Sequence, residues 1–215
     1  MPVKDDQLGG IALIAGAVGG LVTMSLHPTG HDLSAPGQFA SAAFRAAAVH
    51  ALAIASMPVS FLGALALSRR VESPARLAVA GLVVYGFALA AEMAAAVVSG
   101  FVGPHLVGEI IDAAPAARQG REALLGYNYQ LNQAFARTYV VASSTAILLW
   151  SASILRTRAL ASGAGVYGLV MASVAVLAVG SGHLRLDVHG FGLIVLAQAL
   201  WFIVVGVLLL RLRAQ

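Results

Sequence analysis

The chain has 215 residues, of which 60% are hydrophobic and only 10% charged. A soluble domain of this length could not cover so much apolar surface, so the composition excludes an ordinary globular protein and points to lipid as the solvent. The formal net charge is +4, yet the basic residues form no groove-binding stripe, which argues against nucleic acid, and the absence of cysteine excludes disulfides, thiolate ligands and c-type haem.

Crossing the hydrocarbon core takes about 20 apolar residues per helix. Six stretches supply them, at about 8–26, 46–67, 77–98, 136–155, 165–180 and 190–210. The runs are continuous rather than alternating, so they predict helices and not barrel strands. The expected fold is an all-α integral membrane protein, a single domain over 1–215 built as a six-transmembrane-helix bundle. The first stretch could be read as a signal peptide, but Asp5 and Asp6 stand beside Lys4 and no A-x-A site precedes His27, which favours an uncleaved helix. Gly16-x-x-x-Gly20 permits close helix approach, and Pro58 is expected to kink the second helix.

Lys4, Arg69, Arg70, Arg76, Arg156, Arg158, Arg211 and Arg213 all flank span ends. The positive-inside rule makes those ends cytoplasmic, places both termini inside, and predicts three hairpins that turn outside a bacterial inner membrane. The expected outer turns are 27–44, a long loop at 99–133 with a short extra helix near 105–113, and a tight turn at 181–189. All six histidines, His27, His31, His50, His105, His183 and His189, then fall at the outer face.

Helix rise locates the polar groups in depth. His50 lies about 28 Å from Arg69, Glu92 about 24 Å from Arg76, and Arg137 about 28 Å from Arg156. They share one layer near the outer edge of a core about 30 Å thick. A carboxylate within a span normally faces the bundle interior with a partner, so Glu92 is expected to pair with Arg137 or a histidine, to carry function, or to be held neutral by desolvation.

His27 and His31 bracket Pro-Thr-Gly and precede Asp32; a turn there could converge two imidazoles and a carboxylate on one ion. His105, Glu109 and Asp112 would share one stripe of a helix, as metal donors or as a solvated face. Asp187 and His189 are two apart among glycines, in the segment beginning at His183, and an extended turn would point them the same way. Tyr127 to Gln133 reads as an interfacial belt opening the fourth helix, and Gln198 as an interhelical hydrogen-bonding group.

These residues predict a periplasm-facing metal site drawn from His27, His31, His50, His183 and His189, holding zinc, iron, manganese or copper. Glu92 and Asp187 are the candidate bases or orienting groups for a metal-dependent membrane hydrolase or oxidoreductase. A lipidic or small-molecule substrate suits a site at headgroup depth. The alternatives are a b-type haem ligated by His50 with His183 or His189, or a transporter or accessory subunit without catalysis, in a homo-oligomer or larger membrane complex.

Overall fold

The computed structural model describes residues 2–29, 32–33, 37–72 and 76–212. Its elements are α1 (Pro2–Leu26), α2 (Phe39–Arg70), α3 (Leu77–Val97), a π-type turn (Val98–Val102), α4 (Gly103–Ile111), α5 (Pro115–Thr157), α6 (Ser162–Gly180) and α7 (Val188–Leu210). Among the described residues there is no strand. Six helical segments are long and apolar enough to cross a membrane, and Phe87, Leu177 and Leu193 point outward from them, as expected for contact with lipid.

The expected second outer loop is not a loop. The third span continues through the π turn and α4 to Ile111, and α5 already begins at Pro115, so 99–133 is a helical hairpin that turns at about 112–114. Apolar runs mark only the stretch of helix that lipid requires. α5 has 43 residues, and such a helix is about 65 Å long, twice the thickness of the hydrocarbon core. Its first turns, Pro115-Ala-Ala-Arg-Gln-Gly-Arg-Glu-Ala-Leu-Leu, are rich in good helix formers and start with proline at the first turn, where its missing N–H costs nothing. α2 likewise extends beyond 46–67 at both ends and runs through Pro58.

Consecutive helices are neighbours around a ring. α1 packs on α2, α2 on α3, α3 on α5, α5 on α6, α6 on α7, and α7 returns to α1. Glycine lets α1 approach both neighbours. A Cβ on Gly63 would meet the Leu13 backbone nitrogen at 2.6 Å, and one on Gly10 would meet the Gly206 carbonyl at 2.6 Å. Gly16 lies against Ser60 as the small-residue spacing suggested, whereas Gly20 has only Val195 within reach, at 3.8 Å. Gly9 and Gly19 share the α2 contact instead.

One end of the ring carries Arg69, Arg70, Arg76, Arg156, Arg158 and Arg211. Arg70 lies 3.8 Å from Asp6 there, tying the start of α1 to the end of α2. Just inside that end the bore is filled by aromatic rings. Trp150 and Trp201 are fully buried and stacked at 6.1 Å, with Tyr85 and Phe202 packed edge-on or tilted against them. Both indoles are satisfied: Trp150 donates to Ser68 Oγ at 2.8 Å and the Ala78 carbonyl at 3.2 Å, and Trp201 donates to the Ala164 carbonyl at 2.9 Å. The ring is therefore plugged at the arginine end. At the histidine end it is hollow.

Candidate functional site: a histidine pair in a one-ended cavity

The hollow is a cavity of about 1120 Å³ reached from the histidine end and lined by α1, α2, α3, α4, α5 and α7. Tyr85, Tyr139 and Phe202 lie at its deep end, while Arg118 and Glu122 belong to its rim on the distal part of α5. Gln198 is buried below Tyr139, accepts its hydroxyl proton at 3.2 Å and donates to Ser143 and Ser144 at 2.9 and 3.1 Å, which crosslinks α5 and α7 as an intramembrane amide is expected to do.

Two histidines meet near the mouth. His27 follows the last residue of α1, and its Nδ1 lies 2.8 Å from the Pro28 carbonyl. His50 stands on α2, 5% exposed, with Nδ1 2.7 Å from the Ala46 carbonyl one turn back. The two Nε2 atoms face each other at 3.1 Å, with the rings edge to face. A carbonyl can only accept, so each Nδ1 carries a hydrogen, and in the neutral rings both Nε2 atoms are then lone-pair acceptors. Burial lowers the His27 pKa below its ordinary value, although the Pro28 bond opposes the shift. Two opposed lone pairs at this distance repel unless a positive centre lies between them.

The surroundings fix this pair. Thr23 donates to the Val49 carbonyl at 3.2 Å, joining α1 to α2 beside His50. The π turn brings Gly100 so close that a Cβ there would stand 2.4 Å from His50 Cβ and 2.5 Å from Cγ. Asn128, buried on α5, reaches the Val98 carbonyl at 3.4 Å and so links α5 to the same turn. π turns recur at functional sites because they offset the helix face and free backbone carbonyls.

The other candidates lie elsewhere. His31 is outside the described residues. Asp32 accepts from Thr29 N–H and Oγ1 at 2.7 and 2.9 Å and lies 3.9 Å from Arg45, so it organises its own turn. His105 and Glu109 pair at 3.4 Å on exposed α4, with Arg121 of α5 3.9 Å from the same carboxylate, a clasp across the helical hairpin. His183 and His189 are exposed on the third turn, where His183 Nδ1 meets Ser181 Oγ at 2.8 Å; neither lines the cavity. Among the described residues, no group of three or more histidine and carboxylate side chains converges.

Glu92 lines the cavity, but the expected Arg137 partner does not reach it. Arg137 is exposed, on the face of α5 opposite buried Ala136, Tyr139 and Val140, so matched depth did not mean matched azimuth. Asp187 is the N-cap of α7: Gly190 and His189 N–H groups donate to Oδ1 at 2.9 and 3.1 Å. The turn is tight enough that a Cβ on Gly190 would collide with the Arg185 carbonyl, and Gly182 supplies the left-handed backbone (φ +74) that ends α6.

The Gly190 bond, followed by that of His189, holds the Asp187 carboxyl below its ordinary 3.8. A depressed pKa means the ionised cap contributes stability above the ordinary carboxyl range and loses it as pH falls through the lowered value. Asp187→Ala is therefore expected to lower the thermal midpoint at neutral pH and Asp187→Asn to lower it less, because asparagine also caps. The difference between wild type and Asp187→Ala should shrink on acidification, measured as midpoints in detergent from pH 7 downward.

Of the residues around the pair, Gly100, Asn128 and Thr23 carried no signal strong enough to be singled out from sequence. Only the four-residue spacing of Thr23 and His27 hinted that both belong to one helix face. Comparison with protein-family models, curated proteins and solved structures finds no match.

Proposed function

We propose that this chain is a multi-pass protein of the bacterial plasma membrane, with cytoplasmic termini, that binds a transition metal ion between His27 and His50 at the outer mouth of its cavity. The clustering of Arg69, Arg70, Arg76, Arg156, Arg158 and Arg211 at the plugged end supports that orientation. One observation carries the metal reading: a buried and a half-buried imidazole have both Nδ1 atoms committed to carbonyls and their Nε2 atoms 3.1 Å apart.

The spacing fits a shared ion. Two nitrogens about 2.05 Å from one metal lie about 2.9 Å apart at a right angle and about 3.3 Å apart at the tetrahedral angle, and the observed separation of 3.1 Å falls between. The Nδ1–carbonyl bonds are the outer contacts that normally orient metal-bound histidines. Imidazole donors suit zinc, iron or copper, and the cavity side leaves coordination positions open. Such an ion, once bound, supplies Lewis acidity or a redox couple to a small or lipidic substrate in the cavity. A b-type haem fits less well. The 3.1 Å between the His27 and His50 Nε2 atoms leaves no room for a macrocycle between them, and His183 and His189 lie outside the cavity.

Titration of detergent-purified, tag-free protein with cobalt(II), followed by its visible absorption, tests this reading. About one equivalent should bind; His27→Ala and His50→Ala should each abolish the signal, and His183→Ala and His189→Ala should leave it unchanged. Undiminished cobalt binding by His50→Ala would remove the proposal.

A further inference from the structure

The deep half of the cavity presents a second chemistry. Glu92 precedes Gly100 by eight residues, about 12 Å of helix rise toward the plugged end, so it lies well below the histidine pair. Among the described residues, no cationic side chain pairs with it and no hydrogen bond reaches it. Of the two phenols beside it, Tyr139 donates to Gln198 at 3.2 Å and Tyr85 has Ser60 as its side-chain partner. Arg118, a cavity-lining arginine, is 21 residues from Tyr139 on α5, about 31 Å of rise away at the rim.

An ionised carboxylate inside a membrane bundle is stabilised by a positive partner. The walls say which kind. Tyr85, Tyr139, Phe191 and Phe202 all border the cavity, paired as Tyr85–Phe202 at 5.5 Å and Tyr139–Phe191 at 5.7 Å, with Met57 and alanines between. A bare metal ion would need several oxygen ligands, and the deep cavity offers one carboxylate. Aromatic faces around a lone carboxylate recognise a bulky monovalent organic cation, which the rings attract through their quadrupoles and the apolar walls desolvate.

We propose that the deep cavity binds a lipophilic organic monocation, with Glu92 as its counter-ion and Tyr85, Tyr139 and Phe202 as its aromatic cage. The site is separate from the histidine pair and does not depend on it. The cavity exceeds what such a ligand needs: typical small-molecule pockets measure about 300–1,000 Å³, and this one about 1120 Å³.

Calorimetric titration of purified protein with tetraphenylphosphonium tests the proposal, with uncharged triphenylphosphine oxide as the comparison. Wild type should bind the cation and discriminate against the oxide. Glu92→Gln should weaken cation binding about thirtyfold or more, as truncating one partner of a desolvated charge pair does, and should leave the oxide unaffected. Glu92→Asp should retain measurable cation preference, and unchanged elution and thermal midpoint should show that both variants are folded. His50→Ala should bind the cation as wild type does, even if it loses cobalt. Equal affinity of wild type and folded Glu92→Gln for the cation would overturn the proposal, as would loss of cation binding in His50→Ala or no binding by wild type.

Discussion

Trp150→Ala is expected to cost about 3–5 kcal/mol of stability, the range for truncating a large buried aromatic. Trp150 is fully buried in the plug and touches Tyr85, Trp201 and Phe202. Its indole N–H also joins Ser68 at the end of α2 to Ala78 at the start of α3, across the turn at the arginine end. Alanine would remove ring contacts with α3 and α7 and leave both oxygens without the indole donor. Gly81 exists to admit this ring: a Cβ there would stand 3.0 Å from the indole nitrogen. Trp150→Phe keeps much of the packing but not the hydrogen bonds, so it should cost less. Denaturation by sodium dodecyl sulfate in mixed micelles reads both changes. A loss below about 1 kcal/mol for Trp150→Ala would mean that the plug does not hold the ring closed.

Gly100→Ala should weaken cobalt binding by about tenfold to a hundredfold, the range seen when support around a metal ligand is removed. The added methyl would sit 2.4 Å from His50 Cβ, well inside van der Waals contact, so the imidazole or the π turn must shift. Either movement separates the two Nε2 atoms. Gly103→Ala, in the same segment, is the control: its methyl would meet Asn128 Nδ2 at 3.3 Å and the Val98 carbonyl at 3.4 Å, a contact that small adjustments relieve. The pair of variants separates loss of the site from general damage to the turn. Cobalt affinity equal to wild type in Gly100→Ala would show that the position of His50 is immaterial.

Much of the architecture was written in composition. Continuous apolar runs located all six spanning helices, because lipid demands about 20 such residues and little else does. The short helix near 105–113 was legible and is α4, but the extension of α5 back to Pro115 was hidden for the same reason. Arg118, Arg121 and Glu122 end an apolar run without ending a helix. The site was legible only in part in depth, because Glu92 lies about 12 Å of helix rise below Gly100 and the histidine pair, and it was not legible in direction. Counting residues placed His50, Glu92 and Arg137 in one layer, but a helix turns 100° per residue, and a one-residue difference separates buried Ala136 from exposed Arg137. His27 and His50 were both candidate donors, yet their meeting depends on the end of α1, the Thr23 bond and the space left by Gly100. None of these is a motif. Asp187 and His189 showed the converse: their spacing suggested convergence on a ligand, and Asp187 caps a helix through the His189 backbone instead.

The arrangement as a whole is one-sided. Aromatic rings close the arginine end, a histidine pair guards the other, and a carboxylate waits between them. Elemental analysis of protein purified without added metal and without a histidine tag decides whether the opposed imidazoles hold a metal ion. About one equivalent of zinc, iron or copper is expected in wild type, absent from both His27→Ala and His50→Ala when each remains folded. Metal-free wild-type protein that also fails to take up cobalt, or a metal content unchanged in the two variants, would contradict the metal reading.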